Sequence, residues 1–287
     1  MDSSKRPILE TLSYFDFFDY PLTAYELWQF IKTTKSKEAF YKHLEKTNIS
    51  SFQSFYFLKK RKSIVKKRLE KEKIGSQKLK KSIKIIYKLS FIPTVDFIGI
   101  SGSLAMKNSN LEDDIDIFVI CQNNLVWFTR LILAIYLSLL GVYRKKHEKN
   151  PKDKICLNLI IGNKNTAYFK NKQNLYIAHE IVQLIPIFQK ENAYFDFINK
   201  NNWVLSFLPN IDTRIQSYKI PFYKSKKLTD SILINILHIL KVEKIAKFIQ
   251  WNYMKKDVTL EIIEDNFLAF HPVNFEKKVS KFLNKKT

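Results

Sequence analysis

The sequence predicts an α+β fold: a small mixed sheet with helices at the centre, a three-helix module before it and a helical region after it. Three observations carry this expectation. Of 287 residues, 46 % are hydrophobic and 14 % aromatic, which suffices for a buried core and excludes a disordered chain. Short β-branched or apolar runs at Val95–Ile100, Ile115–Ile120 and Lys154–Ile161 are separated by apolar residues at helical spacing. Capping residues punctuate the first sixty positions. The length suits two domains, or one large domain with an appendage, and the boundaries are placed at residues 1–62, 63–165 and 166–287.

In the first segment, Ile8–Phe18 has helical spacing and Asp19-Tyr20-Pro21 breaks it. Thr23 is an N-cap, and Glu26 three residues on completes a capping box. Ser36 caps a third helix through Lys46, and Phe52–Leu58 reads as β structure. Three helices followed by a short β pair is the order of a winged helix-turn-helix, whose third helix can enter the major groove. Here that helix is only mildly basic, with Lys37, Lys42, His43 and Lys46 against Glu38 and Glu45. A packing or dimerisation role for the module stays open.

The net charge is +22, from 49 basic and 27 acidic residues, and it points to a polyanionic partner: nucleic acid, nucleotide phosphates or an anionic surface. Abundant Lys, Asn, Ile, Phe and Tyr also match the codon usage of an AT-rich genome. The segment Lys59–Lys84 holds 13 basic residues against Glu70 and Glu72, a net +11. Its apolar spacing suggests two helices split at Gly75-Ser76, with a basic outer face able to contact RNA or DNA.

The chain opens without the pattern of a secretory leader. Its longest apolar run, Leu131–Val142, would span roughly 18 Å as a helix, short of the ~30 Å bilayer core. A cytoplasmic protein without an integral membrane segment is expected. Cys121 and Cys156 lie in apolar runs and read as small packed hydrophobes.

The chemistry is concentrated in VDFIGISGSLAMKNSNLEDDIDIFVI, residues 95–120. A strand ends at Ser101-Gly102-Ser103, and a second begins at Ile115. Asp114 and Asp116, two apart, project to one face of that strand. Paired carboxylates repel, and a divalent cation removes that penalty; oxygen ligands select Mg²⁺ or Mn²⁺. Gly102 permits close approach of a phosphate, and Ser103 adds a hydroxyl at the start of the following helix. Asp113 faces away, and Glu112 lies in the turn.

Gly-Ser, a spacer of about ten residues and Asp-hydrophobic-Asp between two apolar strands resemble the signature of the DNA polymerase β-like nucleotidyltransferase superfamily. The resemblance implies a polymerase-β-like core, with Gly102 and Ser103 binding the triphosphate of an NTP and Asp114 and Asp116 holding Mg²⁺ or Mn²⁺. It also implies a third carboxylate on a later strand. The best-placed strand, KICLNLII, has Asn158 there, which cannot accept a proton from an attacking hydroxyl. Three readings follow: a single-metal enzyme, substitution by Asp153 or Glu180, or a site that binds nucleotide without catalysis.

Between the strands, WFTRLILAIY reads as a crossover helix whose Arg130 could reach a phosphate. In YIAHEIVQL, His179 and Glu180 point in different directions, and His179 reads as structural. Pro186 is expected to end that helix. A helix around Trp203, a linker over Pro209–Lys227, a long apolar helix at Leu228–Met254 with a break near Lys241, and a basic tail complete the chain. The expected function is Mg²⁺-dependent transfer of a nucleoside monophosphate from an NTP to a hydroxyl of an RNA end or a protein, with release of pyrophosphate. The alternative is a catalytically inactive nucleotide- or nucleic-acid-binding regulator.

Overall fold

The structure is a computed structural model that describes residues 5–33, 36–212, 223–225, 228–256, 258–270 and 275–285. It is mixed α+β, with a three-stranded and a seven-stranded sheet. The N-terminal module runs helix Arg6–Asp16, strand Leu22–Thr23, helices Ala24–Phe30 and Lys37–Lys46, then the hairpin Ser51–Phe52 and Phe55–Tyr56. Both expected caps form. The Thr23 hydroxyl accepts from the Glu26 amide while the Glu26 carboxylate accepts from the Thr23 amide, and Ser36 accepts from Ala39. The hairpin turns through Gln53 and Ser54, both at positive φ, where the sequence suggested a continuous strand. Ile8, Leu12, Phe15, Leu27, Phe40 and Leu44 fill the core of this module.

The basic segment departs from expectation. It forms one helix, Ile64–Leu89, uninterrupted at Gly75. Gly75 is buried toward Leu104, and the inward residues Ile64, Arg68, Gly75, Lys78, Ser82, Ile86 and Leu89 recur every three, four or seven positions. Several of its cations are used internally. Arg68 is 1 % exposed, lies 3.6 Å from the centre of the Tyr20 ring, and pairs with Glu26 at 2.8 Å and Glu72 at 2.5 Å. Lys78, also buried, donates to the Asp113 carbonyl and pairs with Asp153 at 3.2 Å. Lys66, Lys73, Lys80 and Lys84 remain exposed along the outer face.

The large sheet has the order 223–225, 185–190, 95–100, 115–121, 155–162, 267–269, 262–264. Strand Val95–Ile100 is antiparallel to both Ile115–Cys121 and Ile185–Lys190. Strands Ile115–Cys121 and Ile155–Gly162 are parallel, joined through the crossover helix Val126–Leu139. Both faces are covered, so the central strands are apolar nearly throughout. Ile115, Ile117 and Val119 enter one core, while Phe118 and Ile120 enter the other. Alternation therefore directs Asp116 to the second face, the side of helix Leu175–Val182.

The C-terminal region is not purely helical. Pro186 does not cap a helix; it sits inside strand Ile185–Lys190, and Ile262–Glu264 with Phe267–Ala269 adds a hairpin beyond Ile155–Gly162. The sheet thus draws strands from beyond residue 165, across the expected boundary. The long apolar segment splits into helices Leu228–Ile239 and Val242–Met254 at Lys241, which adopts φ 53°. Most of the expected linker and the pair His271-Pro272 lie outside the described residues. No helix among the described residues is long and apolar enough to cross a membrane.

Candidate active site

Strand Val95–Ile100 delivers the chain to Ser101, whose backbone amide donates to the Asp116 carbonyl at 2.9 Å. The chain then turns through Gly102 at φ 63° into the short helix Gly102–Ala105. Gly102 lies against the Asp116 side chain: a Cβ there would meet Asp116 Oδ2 at 2.5 Å and Cγ at 3.3 Å. Only glycine combines that left-handed conformation with that approach. Asp113 holds the loop, accepting from the Asn110 amide at 2.7 Å and from the Ser103 hydroxyl at 3.4 Å. Ser103 is therefore part of the turn's own hydrogen bonding.

Asp114 and Asp116 stand together as expected, and their neighbour across the parallel pairing is Cys156, in direct register with Asp116. One ligand atom from each of Asp114, Asp116 and Cys156 lies within 4.8 Å of the others. Asn158 does not take the third place. The register shifts between Ile117 and Phe118, pairing them with Leu157 and Leu159, so Asn158 falls at the irregularity and lines a separate cavity. Arg144, at the end of the crossover, approaches Asp114 Oδ2 with Nε at 2.7 Å.

The electrostatics follow from this packing. Burial raises the Asp114 carboxyl above the ordinary range, and Arg144 opposes that rise. Asp116 is pushed to about 7, first by burial and then by the Asp114 charge; the Cys156 thiol, hydrogen-bonded to it, acts in the other direction. Glu180 adds to the elevation of Asp116 and is itself raised to about 7 by burial, with a hydrogen bond from Tyr176 acting against it. Burial beside the two aspartates drives the Cys156 thiol well above 9. Of the two acids proposed as substitutes, Asp153 is engaged by Lys78 and Lys81, whereas Glu180 shares the field of Asp116.

Two cavities flank the carboxylates. The first, about 340 Å³, is lined by Arg130, Arg144, Lys145 and Lys146, the last paired with Glu261, by Tyr253 and Phe270, and by Cys156. Arg130, the candidate phosphate contact, lines this cavity: Nη1 donates to Gln250, the guanidinium stacks over Phe270, and buried Nε has no partner. The second, about 150 Å³, is lined by Ser101, Asn158 and Glu180 together with Tyr168, Phe169 and Phe267. A third cavity, about 240 Å³ around Asp96, lies at the other end of the same strands, where Gln122 and Asn163 satisfy the carboxylate. His179 is remote from this chemistry; it stacks on Tyr14 at 4.2 Å, packs against Phe15 and Phe30, and burial pulls its pKa to about 3.

Sequence reasoning missed Cys156 and Arg144. The first is placed by the register of the parallel pair, which sets the second residue of ICLN opposite the second aspartate. Arg144 carries no local signal, since only the crossover geometry brings it to Asp114. No protein-family model, curated protein or solved structure matches the chain.

Proposed function

We propose that the protein transfers a nucleoside monophosphate from an NTP to an acceptor hydroxyl. The observation that carries this reading is the Gly102 turn packed on Asp116, with Asp114, Asp116 and Cys156 converging beside a cationic cavity. Arg130, Arg144, Lys145 and Lys146 would neutralise a polyphosphate, and Tyr253 and Phe270 would contact its base or sugar. The donor set fits a divalent cation: two carboxylates are crowded enough to hold a proton near neutrality, and a bound cation would supply the charge that stabilises both anionic oxygens and phosphate. Asp114 and Asp116 are its oxygen ligands in this reading, and the Cys156 thiol is the third group close enough to join them.

In the transfer, the acceptor oxygen forms a bond to the α-phosphorus as the bond to the bridging oxygen of pyrophosphate breaks. The acceptor proton passes to Glu180, whose carboxyl near 7 suits a base at neutral pH and replaces the acid absent at Asn158. The order of elements in residues 6–56 supports a winged-helix-like module, and the exposed lysines of Ile64–Leu89 support a nucleic-acid contact.

The test incubates the purified protein with each α-³²P-labelled NTP, Mg²⁺ or Mn²⁺, and RNA or protein acceptors, beside an Asp114→Ala/Asp116→Ala variant. Label that appears on an acceptor and vanishes in the variant supports transfer. Nucleotide binding without label favours the regulator, and neither binding nor label rejects the nucleotide reading.

A further inference from the structure

The second cavity is walled like a binding slot. Tyr168 stacks on Phe267 with centroids 3.7 Å apart and planes 20° apart, and Phe169 meets Phe267 at 5.8 Å. Ser101 is 7 % exposed, lines this slot, and its buried hydroxyl has no hydrogen-bond partner. A buried hydroxyl left unpaired is costly unless a ligand supplies the partner. Asn158 and Glu180 line the same slot, and the Ser101 amide donates to the Asp116 carbonyl at 2.9 Å, so one wall of the slot adjoins the strand that carries the carboxylates.

Size narrows the ligand. At about 150 Å³ the slot has the volume of cavities that enclose a single six-membered ring, and a bicyclic purine would protrude. Chemistry narrows it again. A phenol offers one polar atom, whereas Ser101, Asn158 and Glu180 present three hydrogen-bonding side chains to the ring's edge. A pyrimidine base carries a polar edge of matching extent and an apolar face to lie against the aromatic cluster of Tyr168, Phe169 and Phe267.

We propose that this slot receives the terminal pyrimidine of a polynucleotide acceptor, so that the acceptor is a strand ending in cytosine or uracil. The proposal rests on the nucleotidyl-transfer reading and names the substrate class of that site. The net charge of +22, with Lys172 in the lining of the slot itself, supplies the attraction for the rest of the strand.

The experiment measures binding of four hexanucleotide RNAs that differ only in their 3′ nucleotide, by fluorescence anisotropy with the full chain and Mn²⁺ but no NTP. The C- and U-ended strands are expected to bind about tenfold more tightly than the A- and G-ended ones. Ala269→Leu, which fills the slot, should erase the preference while leaving the salt-dependent binding common to all four. Ser101→Ala changes no volume to speak of and should cut the preference about two- to tenfold, the range for one hydrogen bond; it keeps the test decisive if Ala269→Leu does not fold. Equal binding of all four strands, a purine preference, or competition by a tyrosine peptide would overturn the proposal. A slot variant that loses NTP affinity and keeps RNA discrimination would overturn it too, by giving the slot to the donor base. Pyrimidine preference without label transfer to any acceptor would leave the slot assignment standing and reject the transfer reading alone.

Discussion

Gly102→Ala tests the packing from which the site is built, because a second glycine provides the control. Gly102 and Gly141 both sit at positive φ, 63° and 70°. A Cβ at Gly141 would meet nothing within 4 Å, whereas one at Gly102 would meet Asp116 Oδ2 at 2.5 Å. Both alanines incur the left-handed backbone penalty, roughly 1–2 kcal/mol. At Gly102 the Asp116 carboxylate must also rotate, since its strand is fixed by buried Ile115 and Ile117 on either side. An off-rotamer side chain adds about 0.5–1.5 kcal/mol, so the destabilisation should reach about 1.5–3.5 kcal/mol, against roughly 1–2 kcal/mol for Gly141→Ala. The functional difference should be larger, because the carboxylate would swing away from Asp114 and Cys156. Urea unfolding gives the stabilities, and calorimetric titration with Mn²⁺ gives the cation affinity. The control should bind Mn²⁺ like the parent, and Gly102→Ala should lose at least about tenfold, the equivalent of 1.4 kcal/mol. Equal destabilisation by the two alanines with Mn²⁺ binding retained in both would refute the reasoning.

Three further outcomes are expected. His179 titrates near 3 in the folded chain and near 6.5 when unfolded, so the unfolded chain takes a proton that the folded chain refuses; stability present above pH 6.5 is lost as pH falls toward 3, and His179→Phe should flatten that loss between pH 4 and 6 in urea titrations. Cys156→Ser should leave Mn²⁺ binding within a few-fold of the parent but abolish the near-ultraviolet sulfur-to-metal band formed with Co²⁺, because the thiol is the soft member of the donor set; a Co²⁺ spectrum indifferent to the substitution would remove Cys156 from the site. Replacing Lys66, Lys73 and Lys80 together by Gln should lower the slope of log K against log salt for RNA by about 3 if each contacts a phosphate, one for each lysine, and an unchanged slope would move the nucleic-acid surface elsewhere.

The legible parts of this fold are those in which local chemistry decides the local conformation. Thr23 with Glu26, and Ser36, announce helix starts because a side-chain oxygen three residues from an open amide has one good use. Strands Val95–Ile100 and Ile115–Cys121 were readable because their apolar runs are bounded by Ser101-Gly102 and Asp113-Asp114. Asp114 and Asp116 followed from the two-residue period of a strand. What failed depended on partners distant in sequence. Pro186 looks like a helix terminator from its neighbours and is a strand residue only because Val95–Ile100 offers a pairing edge, with the register shifting between Ile98 and Gly99 to accommodate it. Gly75-Ser76 looks like a break and is helical because Gly75 packs toward Leu104. Cys156 stands beside the carboxylates because the register of two parallel strands sets it against Asp116, and no periodicity in either strand records that register.

The same geometry explains why the site is arranged as a deficit of positive charge. Arg144 compensates Asp114, but no cation pairs with Asp116 or Glu180 among the described residues, and both are raised to about 7. Elevated carboxyls destabilise the folded chain as pH rises from about 4 toward 7, because the unfolded chain ionises freely over that range while the folded chain does not. Meanwhile a neighbouring cavity is lined by four cations, Arg130, Arg144, Lys145 and Lys146, of which Arg144 pairs with Asp114 and Lys146 with Glu261. The two groups cancel only in part, through the Arg144–Asp114 pair, because Asp116 lies on the sheet face covered by helix Leu175–Val182, which carries Glu180, whereas the cations gather about Tyr253 and Phe270. A ligand that places a cation between the carboxylates and an anion in the cationic cavity relieves both at once, whereas either ion alone relieves one. A metal-bound polyphosphate has that charge order, and it is the ligand class of the proposed nucleotidyl transfer.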